Sequence, residues 1–501
     1  MTNAKLSASE IDGVQYRRAK LWQIILVACN GLNGMAVYTL IGMASYAASI
    51  GFGISTLVIG GLLTFTRIFD AVTDPLLAFL YDRVNTKWGK VRPLMLLGWL
   101  IQSFGLLGMF SWFSSKGFNV VVFTVLYIIY VIGYTIVNMT AQTLPALITN
   151  DPKQRPTVGV WMTVFNYLVP MGLTVLLNMY LLKKLGTPNG SDFSYNQTFL
   201  TAAAYICVGL SLLGVILVCI GVAAFDKPEN FEGTSLTKQR LKWADMWNVL
   251  RHNKPLRSYI ISAASDKIAQ QTSSQSIVTT LLLGIIIGNM GLGTILSAIG
   301  ILPSILFAIY GARYAGRHGN KESIVTWTRV CILANILIIA FFVIIDPSTI
   351  KDGWNLTRIL FVLLTMLCNG FMMCVTTANT AFMADIVDYE LDRSGQYIPA
   401  VISGTYSLID KLVSSFSAMI ATAGVALVGY TATVPQPGDP STPGIFWVTM
   451  ALRYGLAILG WLCTLWAMHG CKLTKAEMAN VQKRIADKKD ALKKQKEAVK
   501  Q

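Results

Sequence analysis

The sequence predicts an all-α membrane protein with twelve transmembrane helices arranged as two bundles of six. Of its 501 residues, 54% are hydrophobic and only 13% are charged, whereas a soluble domain carries about 25% charged residues. Apolar windows of about 20 residues, the length that crosses a bilayer as a helix, recur along the chain. A polar and basic stretch at 226–255 divides these windows into six and six.

The predicted spans lie at 20–48, 54–81, 93–114, 119–148, 157–185, 199–225, 256–289, 292–314, 322–345, 357–386, 399–430 and 443–470. We therefore expect an N-terminal bundle (1–225), a cytoplasmic linker (226–255), a C-terminal bundle (256–471) and a basic cytoplasmic tail (472–501). The tail is expected to be a solvated amphipathic helix that brushes anionic lipid.

Lysine and arginine are distributed unevenly about the predicted membrane. Of the 41 basic residues, 32 fall on the side that holds both termini and five on the other. This excess places both termini in the cytoplasm of a protein in the cell membrane. The net charge of +16 is concentrated in the loops and the tail, which suits membrane lipid better than nucleic acid.

The second span carries three charges on one face. Arg67, Asp70 and Asp74 are spaced i, i+3 and i+7, so they share a helix face with a formal charge of −1. Ionisable groups are costly inside a membrane, and two neighbouring carboxylates there bind a cation or share a proton. Na⁺, Li⁺ and H⁺ all remain open. The alternative is a buried Arg–Asp pair that only holds helices together.

A lysine stands near the middle of the eleventh span. Lys411 needs an acidic partner there, and the acids of the second span are candidates. We expect it to have a functional role, with a purely structural ion pair as the alternative. Asp266 and Lys267 in the seventh span leave the same two interpretations open.

Charges at the cytoplasmic ends of the spans predict gating contacts. Asp385 and Asp388 end the tenth span and are expected to pair with basic turns at Arg83 or Arg313. Each arginine is followed six residues later by a glycine, Gly89-Lys90 in one half and Gly319-Asn320 in the other. This repeat, with the six-plus-six layout, indicates a transporter whose two halves rock about a central site.

Several polar and aromatic residues within the spans are of the types that bind sugars through hydrogen bonds and ring stacking. They are Asn33, Tyr134, Asn138, Gln142, Trp161, Asn166, Gln270 and Asn379. Singly, each could equally hold helices together. The three histidines are scattered, and the cysteines form no metal-ligand spacing, so we expect neither an enzyme nor a cofactor.

Three segments carry a family resemblance: RIFDAVTDPLLAFLYDRVNTKWGKVRP at 67–93, ADIVDYELDRSGQ followed by Lys411 in YSLIDKLVSSFSA, and, more loosely, YTIVNMTAQTLPALITND at 134–151. The chain resembles the glycoside–pentoside–hexuronide:cation symporters. The resemblance implies a major facilitator fold and sugar transport coupled to Na⁺, Li⁺ or H⁺. It further implies that Asp70 and Asp74 ligate the cation, that Thr135 lies beside them and that Lys411 couples the sites.

The chain departs from the family pattern where galactosides are bound. Asn138 replaces a fourth-helix acid, and Gln142 replaces a tryptophan. No acid occurs near Asn33, and Thr163 replaces a fifth-helix arginine. We therefore expect a monomeric carrier that takes a small solute, with a different glycoside or an amphipathic solute such as a lysolipid open. Asn138 is placed with the cation ligands, and Arg67 with the coupling group.

Overall fold

Helices make up nearly all of the regular structure in the computed structural model of this chain. It describes residues 18–83, 86, 88–114, 119–149, 155–189, 192–226, 243–351, 353–394 and 399–498, with some helical side chains left out, those of 71–83 among them. The chain divides into two compact units. Unit 1 comprises 1–189, 193–238 and 431–434, and unit 2 comprises 190–192, 239–430 and 435–501.

Unit 1 holds nine helices in its described residues. They are α1 (Leu21–Ala28), α2 (Asn30–Ile41), α3 (Ala44–Tyr46), α4 (Thr56–Arg83), α5 (Val91–Leu107), α6 (Val120–Ile148), α7 (Arg155–Thr174), α8 (Leu182–Leu185) and α9 (Gln197–Val222). Short π-helical segments at Ala47–Gly51, Gly108–Trp112 and Val175–Leu181 continue α3, α5 and α7. Strands β1 (Thr187–Asn189) and β2 (Asp192–Ser194) form a two-stranded sheet.

Eleven further helices lie in the described residues of unit 2. They are α10 (Trp243–His252), α11 (Lys254–Ser273), α12 (Ser276–Thr279), α13 (Leu292–His318), α14 (Asn320–Ile344), α15 (Leu356–Ser394), α16 (Pro399–Ser414), α17 (Ser417–Ala426), α18 (Pro443–Met450), α19 (Leu456–His469) and α20 (Lys475–Ala498). A π-helical segment at Thr280–Ile286 extends α12, and one at Ala451–Gly455 joins α18 to α19. A 3₁₀ turn, Pro347–Ile350, precedes α15.

Nine helical stretches in the described part of the chain are long and apolar enough to cross a membrane. The remaining predicted spans, at 54–81, 256–289 and 292–314, are nevertheless helical: they coincide with α4, with α11 and α12, and with α13. The prediction of an all-α membrane protein is confirmed, and the count of twelve spans stays a prediction.

Glycines bring helices into close contact in both units. A Cβ atom on Gly133 of α6 would stand 2.3 Å from the backbone nitrogen of Gln102 in α5, so the two backbones touch there. In unit 2, a Cβ on Gly460 of α19 would stand 2.9 Å from the carbonyl oxygen of Ser265 in α11. Small residues have this effect in membranes because helices there associate by close packing. The α11–α19 contact fixes the geometry of one of the sites described below.

The N-terminus of α5 is held by a buried acid at the end of α9. The carboxylate of Asp226 accepts hydrogen bonds from the backbone N–H groups of Lys90, Val91 and Arg92 at 2.8, 3.1 and 2.9 Å. Arg92 adds an ion pair at 3.3 Å. A carboxylate at this position satisfies unpaired N–H groups and complements the helix dipole.

Gly89 makes this arrangement possible. Its φ is +93°, and a Cβ there would stand 2.3 Å from the carboxyl carbon of Asp226. The matching glycine of the sequence repeat, Gly319, also has a positive φ, +105°. The repeated glycine thus marks equivalent backbone conformations before α5 and α14, since only glycine adopts them without strain.

The first part of the tail, as far as Ile485, is packed against unit 2. In α20, Val481 is fully buried and Ile485 is 6% exposed. Arg484 forms an ion pair with Asp392 of α15 at 2.8 Å, and Lys475 Nζ donates to the carbonyl of Arg317 at 2.6 Å. The expected solvated tail is therefore a docked helix over its first turns, because the apolar side chains at 481 and 485 share one face.

Candidate functional site

Asp70, one of the two acids predicted to bind a cation, lies in the middle of α4. The hydroxyl of Thr135 in α6 donates a hydrogen bond of 2.9 Å to Asp70 Oδ1. Thr135 is 2% exposed and Asp70 is partly buried. The threonine predicted to lie beside Asp70 is therefore in direct contact with it, and the two oxygens could serve as ligands of a small cation.

Arg67 lies one helical turn before Asp70 and interacts electrostatically with it. It also faces a row of tyrosines on α6. The rings of Tyr127 and Tyr130 are 5.5 Å apart, and those of Tyr130 and Tyr134 are 5.8 Å apart. All three interact electrostatically with Arg67. The arginine is thus a counter-charge to Asp70 held beside an aromatic stripe.

Other residues assigned to the cation site are less fully placed. Asp74 lies on α4 one turn after Asp70, but its side chain is outside the described residues. Asn138 is partly buried on α6, three residues after Thr135 and on the same helix face. The side chain of Gln142, a solute-binding candidate one turn further along α6, also lies outside the described residues.

Asn33 belongs to a buried hydrogen-bond network inside unit 1. Its carboxamide oxygen accepts from Gln102 at 3.0 Å and from Ser211 at 2.9 Å. Trp99 donates to the same Ser211 at 2.8 Å. With a 2% exposed side chain, Asn33 joins α2, α5 and α9 together. The role of holding helices together therefore fits Asn33 better than the predicted role in solute binding.

The two α7 candidates have different surroundings. Trp161 is partly buried and packs against the apolar core of unit 1. Asn166 is exposed, and its carboxamide oxygen lies near Gly31 of α2. Asn166 is therefore less enclosed by protein than Trp161.

Unit 2 contains a cavity of about 330 Å³. Gln270 of α11 and Asn379 of α15, both predicted to bind solute, line it together with the carboxamides of Asn335 and Asn369. Trp461 supplies an aromatic wall. The volume falls in the range of small-molecule sites, and the lining combines amides with rings.

The same cavity is lined by ionisable groups, namely Asp266 and Lys267 of α11 and Arg453. Thr464 of α19 donates a 3.0 Å hydrogen bond to Asp266 Oδ1. Arg453 Nη1 donates to the carbonyl of Ser273 at 2.5 Å. Asp266 and Lys267 stand out in the sequence as charges within a span, but the sequence does not predict the cavity that brings them together.

Lys411 lies on α16, next to an acid that has partners within unit 2. Asp410 accepts a hydrogen bond from Tyr406 at 3.4 Å, and it interacts electrostatically with Lys267 and Lys411. Lys411 is partly buried. These contacts place Lys411 within a local charge cluster of α11 and α16.

Two of the four residues expected to form the gate, Asp385 and Asp388, have hydrogen-bond partners within unit 2. Asp385 accepts from Asn320 at 2.7 Å, and Asp388 accepts from Gln482 of the tail at 2.7 Å. Arg313 is exposed, and the side chain of Arg83 lies outside the described residues. The structure therefore gives the two acids neutral amide partners in place of Arg313.

Several residues with clear structural roles do not stand out in the sequence. Thr464 and Asn335 occur in apolar runs without a charge beside them, so nothing local marks them. Asp226 belongs to the predicted linker. No local pattern around it indicates that it caps a helix about 135 positions earlier in the chain.

The fold is similar to that of solved membrane transporters. A crystal structure of the nucleoside transporter NupG matches 90% of this chain and 100% of its own with a TM-score of 0.57 at 14% identity. At this identity the likeness concerns the fold. The helical architecture and this likeness confirm the predicted major facilitator fold.

The sequence comparisons identify the family. The family model described as MFS/sugar transport protein matches residues 25–475, and the chain belongs to this family. It is 25% identical over 392 residues to the putative glycoside/cation symporter YagG of Escherichia coli, covering 76% of this chain and 77% of that one. It is 23% identical to the isoprimeverose transporter of Lactiplantibacillus pentosus, covering 77% and 75%.

Proposed function

We propose that the protein is a cation-coupled symporter of a sugar or glycoside. The observation that carries this proposal is the Asp70–Thr135 hydrogen bond beside Arg67 in a membrane-embedded helix pair. An acid there is costly unless it serves an ion. The names of YagG and the isoprimeverose transporter supply the solute class. The amide-rich cavity of unit 2 suits a solute with many hydroxyl groups, and no observation favours the lysolipid alternative.

The cation site is assigned to Asp70, Asp74, Thr135 and Asn138. Each offers an oxygen ligand, which suits Na⁺, and the two acids can also take up a proton. In the empty carrier, Arg67 balances the negative charge of Asp70. A cation that binds takes over from Arg67 in balancing the charge of Asp70. Arg67 is then released to interact with other groups.

Coupling is assigned to Lys411 together with Arg67. A lysine in a membrane span is costly unless an acid lies near it. Asp410 is such an acid in this structure. Occupation of the cation site would change the partners available to Lys411, and this change would be transmitted to solute binding.

Solute binding is assigned to six residues that supply amide groups and rings, namely Tyr134, Gln142, Trp161, Asn166, Gln270 and Asn379. Asn33 is left out because its oxygen already accepts two hydrogen bonds. The gating set, Arg83, Arg313, Asp385 and Asp388, is retained with Gln482 as a further member. We place the protein in the cell membrane as a monomer with both termini in the cytoplasm.

Uptake into proteoliposomes tests the proposal. Purified protein is assayed with a panel of radiolabelled mono- and disaccharides, pentosides and lysophosphatidylcholine, each under an inward Na⁺ or H⁺ gradient. We expect accumulation of at least one sugar that collapses with the gradient. Asp70→Asn and Asp74→Asn should abolish accumulation and retain exchange of solute down its gradient. Lys411→Ala should transport the solute without stimulation by the cation.

Asp346→Asn, at an exposed loop position before α15, is the matched control and should accumulate the solute like the wild type. Cation-driven accumulation by both Asp70→Asn and Asp74→Asn would refute the assigned cation site. Accumulation of the lysolipid and of no sugar would refute the solute class.

A further inference from the structure

Asp266 is a second membrane-embedded acid, and the cation site of unit 1 makes no use of it. It lies on α11, is partly buried and turns toward the cavity of unit 2. Its position relative to α19 is fixed, because Gly460 lets α19 approach the carbonyl of Ser265. Thr464 lies one turn beyond Gly460 on the same face and reaches Asp266 at 3.0 Å.

The carboxylate of Asp266 forms no ion pair within the part of the chain that the structure describes, although Lys267 and Arg453 line the same cavity. The titratable and charged side chains that line the same cavity, or that lie on its own helix and on the elements packed around it, include Tyr259, Lys267, Cys331, Cys368, Tyr406, Asp410, Lys411, Arg453, Tyr454, Cys463 and His469. None of their nitrogens forms an ion pair with Asp266. Lys267 interacts electrostatically with Asp410. A carboxylate that forms no ion pair in a membrane interior is costly, and protonation removes this cost.

The hydrogen bonds around Thr464 accommodate both forms of the acid. Thr464 Oγ1 donates to Asp266 Oδ1 at 3.0 Å when the acid is ionised. The carbonyl oxygen of Ser262 lies 3.4 Å from the same hydroxyl and is an alternative acceptor. A protonated Asp266 could therefore donate to Thr464, whose own proton would turn to Ser262.

The Ser262 hydroxyl donates to Thr464 at 3.2 Å in the present arrangement. Thr464 has two acceptor lone pairs, so it can accept from Ser262 and from a protonated Asp266 together. The hydrogen bonds of this group can therefore be satisfied in either state. Binding and release of the proton then require only the rotation of one hydroxyl group, which is the property that a proton-transfer site needs.

We propose that Asp266 is a proton-binding site in unit 2, with Thr464 and Ser262 as its positioning residues. The ligand is a proton taken from and returned to water in the adjoining cavity. This site is separate in the chain from the Asp70 site. Its part in transport rests on the proposed symport function, whereas its occupation by a proton does not.

Infrared difference spectroscopy tests the proposal without any solute. The full-length protein in lipid nanodiscs is titrated across neutral pH, and the carbonyl stretch of protonated carboxylic acids is followed. We expect a wild-type band that is lost as the pH rises and is absent from Asp266→Asn. Thr464→Val should shift the frequency of this band because the hydrogen bond is gone, and Thr464→Ser should restore it.

Asp410→Asn is the matched control, since it removes a neighbouring acid from α16; the Asp266 band should remain in it. An unchanged band in Asp266→Asn, or no titrating band in the wild type, would overturn the proposal. The thermal unfolding midpoint of each variant separates loss of the band from loss of fold.

A transport measurement addresses the role of the proton. Once a solute has been found, we expect Asp266→Asn to lose accumulation driven by a pH gradient and to retain exchange. Proton-driven accumulation that is equal to the wild type would overturn the role in coupling. If no sugar is transported at all, the proposed function fails, but the infrared result still decides whether Asp266 binds a proton.

Discussion

The aspartate–threonine pairs of the two units share a hydrogen bond and differ in the charges around it. Thr135 donates to Asp70 at 2.9 Å in unit 1, and Thr464 donates to Asp266 at 3.0 Å in unit 2. Asp70 has Arg67 one turn before it and a second acid one turn after it. No basic side chain in the described residues pairs with Asp266.

This difference indicates what each acid can bind. The guanidinium of Arg67 balances the negative charge of Asp70, and a carboxylate with further oxygens nearby is suited to a metal cation. Asp266 has only neutral hydroxyl partners among the described residues, and these also serve its protonated form. The same local hydrogen bond can thus belong to two kinds of site, and the neighbouring charge decides between them.

The largest expected effect separates the two acids directly. Asp70→Asn removes the negative charge that attracts the metal cation, so Na⁺-driven accumulation should be lost. Asp266→Asn should keep a Na⁺ response, because its charge is not part of that site. Solute uptake at fixed pH with and without Na⁺ measures both. Equal loss of the Na⁺ response in the two variants would contradict the division of roles.

A second variant makes the unit 1 acid resemble the unit 2 acid. Arg67→Gln keeps a polar side chain but removes the counter-charge of Asp70. Na⁺ then no longer has to displace a guanidinium from Asp70, so we expect the apparent Na⁺ affinity, measured by cation titration of uptake at fixed pH, to rise. Tyr38→Phe, on an exposed side chain of α2, is the control. An apparent Na⁺ affinity equal to that of the wild type would show that Arg67 does not balance the charge of Asp70.

A smaller effect is expected from the hydrogen bond itself. Thr135→Val removes a donor to a charged group, a contribution of about 1.5–3 kcal/mol, and the apparent cation affinity should fall by roughly tenfold or more. Thr135→Ser keeps the hydroxyl and should bind nearly as the wild type does. Cation titrations of uptake distinguish the two variants. If valine and serine behave alike, the hydroxyl is not a ligand or an orienting group.

The smallest effect is expected at the tail, far in the chain from both acids. Hydrogen bonds from Arg484 to Asp392 and Glu477 raise the pKa of this arginine, but its side chain is 46% exposed. Arg484→Gln should leave the thermal unfolding midpoint unchanged within error, because exposed ion pairs contribute little. Val481→Asp, which places a charge at a fully buried position, should lower the midpoint clearly. The pair of variants tests whether apolar burial, and not the ion pair, docks the tail.

Site residues that stand out from an apolar background can be predicted from the sequence. Asp70 and Lys411 are visible as charges within hydrophobic windows, and helix periodicity suffices to place Arg67 on the same face as Asp70. The family resemblance added Thr135, and the structure places its hydroxyl on Asp70. These are local patterns, and local patterns are what a single sequence displays.

The features that were missed depend on contacts between distant segments. Thr464 is one of many threonines in spans, and only the approach at Gly460 brings it to a residue 198 positions away. Asp226 accepts hydrogen bonds from backbone N–H groups about 135 positions earlier in the chain. In the tail, however, Met478, Val481 and Ile485 follow a spacing of three and four that is typical of a buried helix face, and this signal was available.

The docking of the tail also bears on the order in which the protein is made. The apolar core of unit 2 includes Leu473 and Cys471, and Met478 packs against it, while Val481 and Ile485 are buried close by in the chain. These residues are translated after every helix from α10 to α19. In unit 1, the contact of Asp226 with the N-terminus of α5 can form once α9 has been made, whereas residues 431–434 of the same unit follow much later in the chain. In a newly made chain, the contact of Asp226 with α5 can therefore form well before the tail of unit 2 is available to dock.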